Sequence, residues 1–414
     1  MPDTDLSSFP IVDETGLYNA NLMIEKAAGH YIWFEGDSVP YFDLVMGYSS
    51  TNFGHNNPDI IRYIQKALQK GDNTPAFNFR ERISLSKKLL DYLPFDNNNY
   101  QIYYPVGGAK AVETALKLAM LHTQKTKVIS FRGGFHGYSK GAMSVTDQQF
   151  FNHHYSMFNH EVVLIEFPDI NKTSDYKEAL DQLRDAIQEE PTAAVIIEPI
   201  QGASGFRQAH KKFFQSLRKI TQDHNIILIL DEIQSGIGRT GEFYAFSKFS
   251  IQPDIVLLGK SLAGGFYPLS AVISKREYFD SVGNQKTGFD STFSNNLFGI
   301  GIADKVMTYI KETNLLQKVQ HQEKLFTRKM TQLKEKYSFI KNISVIGLAC
   351  AWELVDNATA QKVKQQAFQD HIIIQTAGIE GNYIKISPAL TITDQELKLA
   401  ISQLDASLSR INLN

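Results

Sequence analysis

Two charged residues each close a short aliphatic run: Asp231 follows Ile226-Ile227-Leu228-Ile229-Leu230, and Lys260 follows Ile255-Val256-Leu257-Leu258-Gly259. Such runs suit strands buried on both faces, and open α/β sheets bind their ligands beyond the carboxyl ends of those strands. A carboxylate and an amine at neighbouring strand ends can therefore face one pocket. Upstream, Pro105-Val106-Gly107-Gly108-Ala109 ends a strand and opens an Ala/Leu-rich helix. The free amides and positive dipole end of a helix N-terminus suit a phosphate, although the spacing is not the Walker pattern. Phe135 and His136, between Gly134 and Gly137 and just after another strand, would display a flat ring able to stack on a planar group.

A phosphate cradle, a stacking ring, a carboxylate and a lysine after successive strands are the parts needed to hold pyridoxal 5'-phosphate. The lysine can form a Schiff base with the aldehyde. A buried carboxylate beside the pyridine nitrogen keeps that atom protonated, so the ring can draw electrons from a substrate carbanion. Gln234, three residues beyond Asp231, can reach the ring oxygen. His153, His154 and His160 have no companion ligands at a metal-binding spacing, so a solvated loop and no metal are expected there.

These residues need a scaffold of alternating strands and helices, and residues 100–275 supply that pattern. Strands are expected at 101–104, 127–130, 193–198, 226–231, 255–258 and 269–273, with helices at 109–122, 175–189 and 211–224. The interleaving implies an α/β fold with a parallel sheet covered on both faces. Before it lie short strand signals within 1–50, a helix from about 58 to 70 that starts at Pro58, and a second helix near 81–92. After residue 300 the pattern becomes α+β: one long amphipathic helix over 301–337, then strands at 343–346, 371–375 and 383–386. The expected organisation is an N-terminal segment, 1–50, packed with the small domain, a large cofactor-binding domain, 51–300, and a C-terminal small domain, 301–414.

With 414 residues, 43% hydrophobic and 21% charged, the chain can bury a large core. A formal net charge of -2, with no dense Lys/Arg block, gives no electrostatic footprint for nucleic acid or an acidic membrane face. Cys350 is the only cysteine and sits in an apolar stretch, so burial is expected and an intramolecular disulfide is excluded. The start, Met1-Pro2-Asp3-Thr4-Asp5, has neither a basic region nor an apolar signal core, and no apolar run reaches membrane-spanning length. The expected location is the cytoplasm.

The order and spacing of seven motifs resemble the class III (ω-amino-acid) aminotransferases, a pyridoxal-phosphate family of fold type I. They include Gly54-His55-Asn56-Asn57-Pro58, Gly107-Gly108-Ala109, Phe135-His136-Gly137, Glu198-Pro199-Ile200-Gln201-Gly202, Asp231-Glu232-Ile233-Gln234, Gly259-Lys260 and Ser291-Thr292-Phe293. The resemblance covers nearly the whole chain and implies a mostly parallel seven-stranded sheet covered by helices, with a smaller α+β domain. It implies that Lys260 carries the cofactor and shuttles the proton, and that Asp231 pairs with the pyridinium nitrogen. It further implies that Gly107, Gly108 and Ala109 hold the phosphate, that Phe135 stacks on the ring with His136 beside it, and that Glu198 and Gln234 position the ring oxygen and its surroundings. Thr292 would reach the phosphate of a neighbouring subunit, because the family's site lies at a homodimer interface.

Lysine stands at 385, where family members that handle an α-carboxylate often carry arginine, and alanine stands at 203, where several carry a neutralising glutamate. Lysine keeps the charge but loses the planar fork of guanidinium. A second reading makes Lys385 an exposed strand residue. Gly107 replaces a small hydroxyl residue, and Tyr138 stands where the ornithine branch has its substrate-selecting arginine. Asn295-Asn296-Leu297 and Lys385 resemble the diaminobutyrate:2-oxoglutarate branch, and Tyr48-Ser49 the ornithine branch, so Tyr48 and Lys385 are the substrate-side candidates. The expected reaction moves the terminal amino group of a diamino acid, ω-amino acid or amine to a keto acid such as 2-oxoglutarate. The alternative is a pyridoxal-phosphate isomerase, an epimerase or aminomutase, because it shares the first proton abstraction.

Overall fold

The computed structural model describes residues 22–69, 77–151, 161–173, 175–283, 288–289 and 291–411. His153, His154 and His160 lie outside them, as do the first 21 residues. At the centre is a seven-stranded sheet in the spatial order Tyr100–Tyr103, Ala271–Lys275, Ile255–Leu258, Ile227–Asp231, Thr192–Ile197, Lys127–Phe131, Val162–Ile165. Ala271–Lys275 runs antiparallel to both its neighbours, and every other adjacent pair is parallel. All residues of Ile227–Asp231 and Ile255–Leu258 are buried, as expected of central strands with helices on both faces. Their register sets Asp231 against Leu257, so Asp231 and the Gly259-Lys260 turn leave the same edge of the sheet.

Helix Gly108–Thr123 packs one face of this sheet through Ala111, Val112, Ala115, Leu118 and Ala119, all fully buried. Its small side chains let the helix approach closely, which fixes where its N-terminus sits. On the other face, helix Lys211–Asp223 buries Phe213, Phe214 and Leu217. Two further sheets flank the first. Ile340–Ile346, Ala349–Leu354, Tyr383–Ile386 and Gln375–Ala377 form an antiparallel sheet. Ile24–Ala28, Tyr31–Phe34 and Tyr41–Asp43 form a meander whose last strand pairs in parallel with Ile372-Ile373.

Three local expectations change. The single helix over 301–337 is two, Leu297–Glu312 and Leu315–Lys336. Asn314 adopts a left-handed φ of 50° between them, a conformation asparagine tolerates well, and the Thr313 hydroxyl caps Tyr309 O at 2.7 Å. Strand Ala349–Leu354 holds Cys350 and Trp352, both fully buried; its continuous apolar run shows no period-two alternation to mark it from sequence. Residues 371–375 divide between two sheets, Ile372-Ile373 in one and Gln375–Ala377 in the other. Among the described residues no helix is long and apolar enough to cross a membrane.

Candidate active site

The carboxyl edge of the large sheet opens into a cavity of about 430 Å³ whose walls include Gly107, Gly108, Ala109, Phe135, His136, Glu198, Asp231, Gln234 and Lys260. Residues expected from separate motifs thus meet in one space. Asp231, 4% exposed, accepts a 2.7 Å hydrogen bond from His136 Nδ1 on Oδ2, while its Oδ1 accepts the Ile233 amide at 3.0 Å. His136 is itself buried, and its other ring nitrogen, Nε2, has no partner. The histidine therefore stands behind the carboxylate and holds its orientation.

Glu198 is buried beneath Phe135: Oε1 accepts the Phe135 amide at 2.8 Å and Oε2 the Gly202 amide at 2.9 Å. Burial pushes its carboxyl above the usual glutamate range, with His136 opposing and Asp231 adding to the shift. Phe135 meets Tyr138 edge-on at 5.1 Å, so its ring is braced on one side while the residue lines the cavity. Gln234 donates from Nε2 to Tyr48 O at 3.4 Å.

At the opposite wall, Gly107 has φ 81° and ψ 154°, a conformation almost confined to glycine, and its amide donates to Pro268 O at 2.8 Å. The helix that starts at Gly108 has no side-chain cap at its N-terminus, so its first amides remain for a ligand. Lys260 leaves its strand with a left-handed φ of 45°, strained for a residue with a Cβ. Its amine is lowered to about 8, chiefly by burial, with Arg239 adding and the carboxylates of Glu198 and Asp231 opposing.

The alternative reading of Lys385 as an exposed strand residue does not hold: the side chain is buried, 5% exposed, and its amine packs over the Phe206 ring at 4.6 Å. Strand Tyr383–Ile386 pairs with Ala349–Leu354 on one side and Gln375–Ala377 on the other, which turns this lysine inward. Burial and then the nearby Lys260 charge lower its amine to about 7, with Glu198 opposing. It does not line the cavity, but Lys260 and Glu198 are near enough to act on its amine. Tyr48, in a run with positive φ from Met46 to Ser49, is 41% exposed and brings its carbonyl, not its ring, to the site. Thr292 is exposed and does not line this chain's cavity. The wall also contains Ile233 and the segment Gly265–Leu269, which no sequence motif marked as part of the site. Gly264-Gly265 just after the lysine, both with positive φ, was the available signal for a chain reversal there.

The Aminotransferase class-III family profile matches residues 14–408. The chain belongs to the class III aminotransferases. Among curated relatives, a probable 4-aminobutyrate aminotransferase of Bacillus subtilis is 29% identical, covering 95% of this chain and 94% of the relative. A diaminobutyrate–2-oxoglutarate transaminase of Marinococcus halophilus is 28% identical over 94% and 92% of the two chains. Among solved structures, a PLP-bound amine transaminase from an uncultivated Pseudomonas species superposes with a TM-score of 0.88 at 24% identity, covering 98% of this chain and 99% of that one. The Toxoplasma gondii ornithine aminotransferase superposes with a TM-score of 0.84 at 26% identity over 96% and 92%.

This aminotransferase uses pyridoxal 5'-phosphate. The residues present fit that group: an uncapped helix N-terminus for the phosphate, a buried carboxylate for the ring nitrogen, and a lysine whose amine is already partly free base. Among the described residues no group of three or more His, Cys, Asp and Glu could hold a metal ion.

Proposed function

We propose that this aminotransferase moves the terminal amino group of a diamino acid, ω-amino acid or amine to a keto acid such as 2-oxoglutarate, with Lys260 as the catalytic base. The observation that carries this reading is the single cavity into which Lys260, the Asp231–His136 pair and the Gly107–Ala109 helix start all open. The choice of donor and acceptor rests on the relatives named for 4-aminobutyrate and for diaminobutyrate with 2-oxoglutarate.

The amides of Gly108 and Ala109 would hold the phosphate, Phe135 would cover the ring, Asp231 would face its nitrogen and Gln234 its oxygen. When bound, pyridoxal phosphate supplies an electron sink for the carbon that loses its proton. Asp231, held by His136, would be the carboxylate that pairs with the ring nitrogen. Lys260, whose amine needs less alkaline conditions than an ordinary lysine to act as free base, would take the proton from the amine-bearing carbon at its Nζ and give it back on the cofactor side of the nitrogen. Glu198 is spent on two backbone amides and braces the Phe135 loop. Lys385, whose amine lies near neutrality, would favour a carboxylate-bearing substrate by taking up its proton when that charge arrives, and Tyr48 borders the entrance.

The same reading makes the enzyme a homodimer in which Thr292 serves the neighbouring site, and places it in the cytoplasm, where its buried Cys350 would stay reduced. It assigns 51–300 to cofactor binding, with 301–414 and 1–50 forming the second unit; the pairing of Tyr41–Asp43 with Ile372-Ile373 supports that division. A half-reaction screen tests the proposal: amines and amino acids are added to purified enzyme and the cofactor absorbance is followed. Terminal amines should convert the cofactor to its amino form, and a keto acid should restore it. Repeated conversion of the donor to an isomeric amine without any keto-acid requirement would contradict transfer and favour the isomerase.

A further inference from the structure

Arg239 is fully buried, yet no carboxylate pairs with it among the described residues. Its Nη1 donates to Leu348 O at 2.9 Å and Pro388 O at 2.7 Å, its Nη2 donates to Asn52 Oδ1, and its Nε is buried without a partner. Burying a guanidinium without a counter-charge is costly, and a hydrophobic side chain would fill the space at lower cost. Such a group is retained where its charge or its geometry is used.

The geometry leads to Lys260. Asn52, 1% exposed, accepts from Arg239 through its side-chain oxygen and donates through Nδ2 to Ser261 Oγ at 3.1 Å. Ser261 directly follows the lysine whose φ of 45° is left-handed. A strained turn persists only where its surroundings over-determine it, and the chain Arg239 to Asn52 to Ser261 grips this one from behind. The other end of Arg239 holds the turns after the C-terminal strands: Leu348, and Pro388 three residues beyond Lys385. The grip is reinforced by the Leu348 amide on Arg239 O at 3.2 Å and the Leu390 amide on Asn52 O at 2.7 Å.

We propose that Arg239 is a positioning residue for the transamination reaction, acting through Asn52 and Ser261 to hold the Lys260 turn and tie it to the strand that carries Lys385. This rests on the reading of Lys260 as the catalytic base. The charged groups acting on the Lys260 amine are Glu198 and Asp231, which raise its affinity for a proton, and Arg239, which lowers it; Lys385 is coupled to it as a second cation. Releasing the turn lets water reach the amine, so its titration moves up.

The test uses Asn52→Leu, which severs both hydrogen bonds, Ser261→Ala, which removes one hydroxyl, and Asn52→Asp, which keeps an acceptor for Arg239. Competitive acetylation of the cofactor-free protein across pH, read by peptide mass spectrometry, gives the Lys260 titration midpoint without relying on turnover. Asn52→Leu should move that midpoint up by about one pH unit and lower kcat about 10- to 100-fold with donor KM little changed. Ser261→Ala should shift both in the same direction by less, and it reports even if Asn52→Leu fails to fold. Asn52→Asp should restore most of kcat. A wild-type midpoint and kcat in folded Ser261→Ala and Asn52→Leu would overturn the inference while leaving Lys260 in place. Failure of wild-type Lys260 to take a borohydride-trapped cofactor would instead overturn the reading beneath it.

Discussion

The cost of keeping Lys260 ready to act can be measured as stability. Its amine titrates near 10.5 in an unfolded chain and at about 8 in the fold, because burial disfavours the ammonium. As pH falls from 10.5, the unfolded chain takes up the proton first, so the folded state loses relative stability down to pH 8 and carries the full cost below it. At about 1.4 kcal/mol per pH unit, that cost is about 3 kcal/mol at pH 7 and about 1 kcal/mol at pH 9.5. Lys260→Met keeps an unbranched apolar stem and removes the charge. The cofactor-free variant should therefore be more stable than the cofactor-free parent by up to about 3 kcal/mol at pH 7, with the gain shrinking as pH rises. Urea unfolding at fixed protein concentration at pH 7 and 9.5 reads both values. Equal or lower stability of the variant at pH 7, or a gain independent of pH, would refute the reasoning.

Three other perturbations separate the roles assigned above. Asp231→Asn preserves shape but not charge, and should lower kcat about 10²- to 10³-fold while the cofactor still binds; steady-state kinetics and the absorbance of the purified protein check it. Lys385→Met should raise KM for carboxylate-bearing donors about 10-fold or more and leave plain amines nearly unchanged, because only the former need the buried cation. Asp254→Asn lies far from the chemistry, where the carboxylate takes Arg218 at 2.6 and 3.1 Å and Lys275 at 2.7 Å. Leaving those cations unpaired should cost about 3–5 kcal/mol, seen as a lowered Tm with activity at 25 °C retained.

The large sheet was readable because its strands are short unbroken aliphatic runs between helices, a pattern with few competing explanations. Asp231, Lys260, Gly108 and Phe135 were readable for the same reason: each lies at, or within a few residues of, the carboxyl end of a strand, so sequence position alone sends them to one edge. Other features obey no such rule. Whether the candidate Lys385 is buried depends on a strand whose inward face is set by pairing with Ala349–Leu354, itself hidden in a continuous apolar run. The Gly265–Leu269 wall arises from a chain reversal after Lys260, and Arg239 becomes informative only when Asn52 and Pro388, far apart in sequence, are seen to meet it. Local pattern reports on elements, whereas these roles come from contacts between them.

Every role assigned above depends on Lys260 being the residue that holds the cofactor. Reducing the purified holoenzyme with borohydride, digesting it and mapping the peptides by mass spectrometry asks that question directly. The phosphopyridoxyl mass should sit on Lys260 and should be lost in Lys260→Ala. A label on Lys385 or any other lysine, or an undiminished turnover by Lys260→Ala, would contradict it.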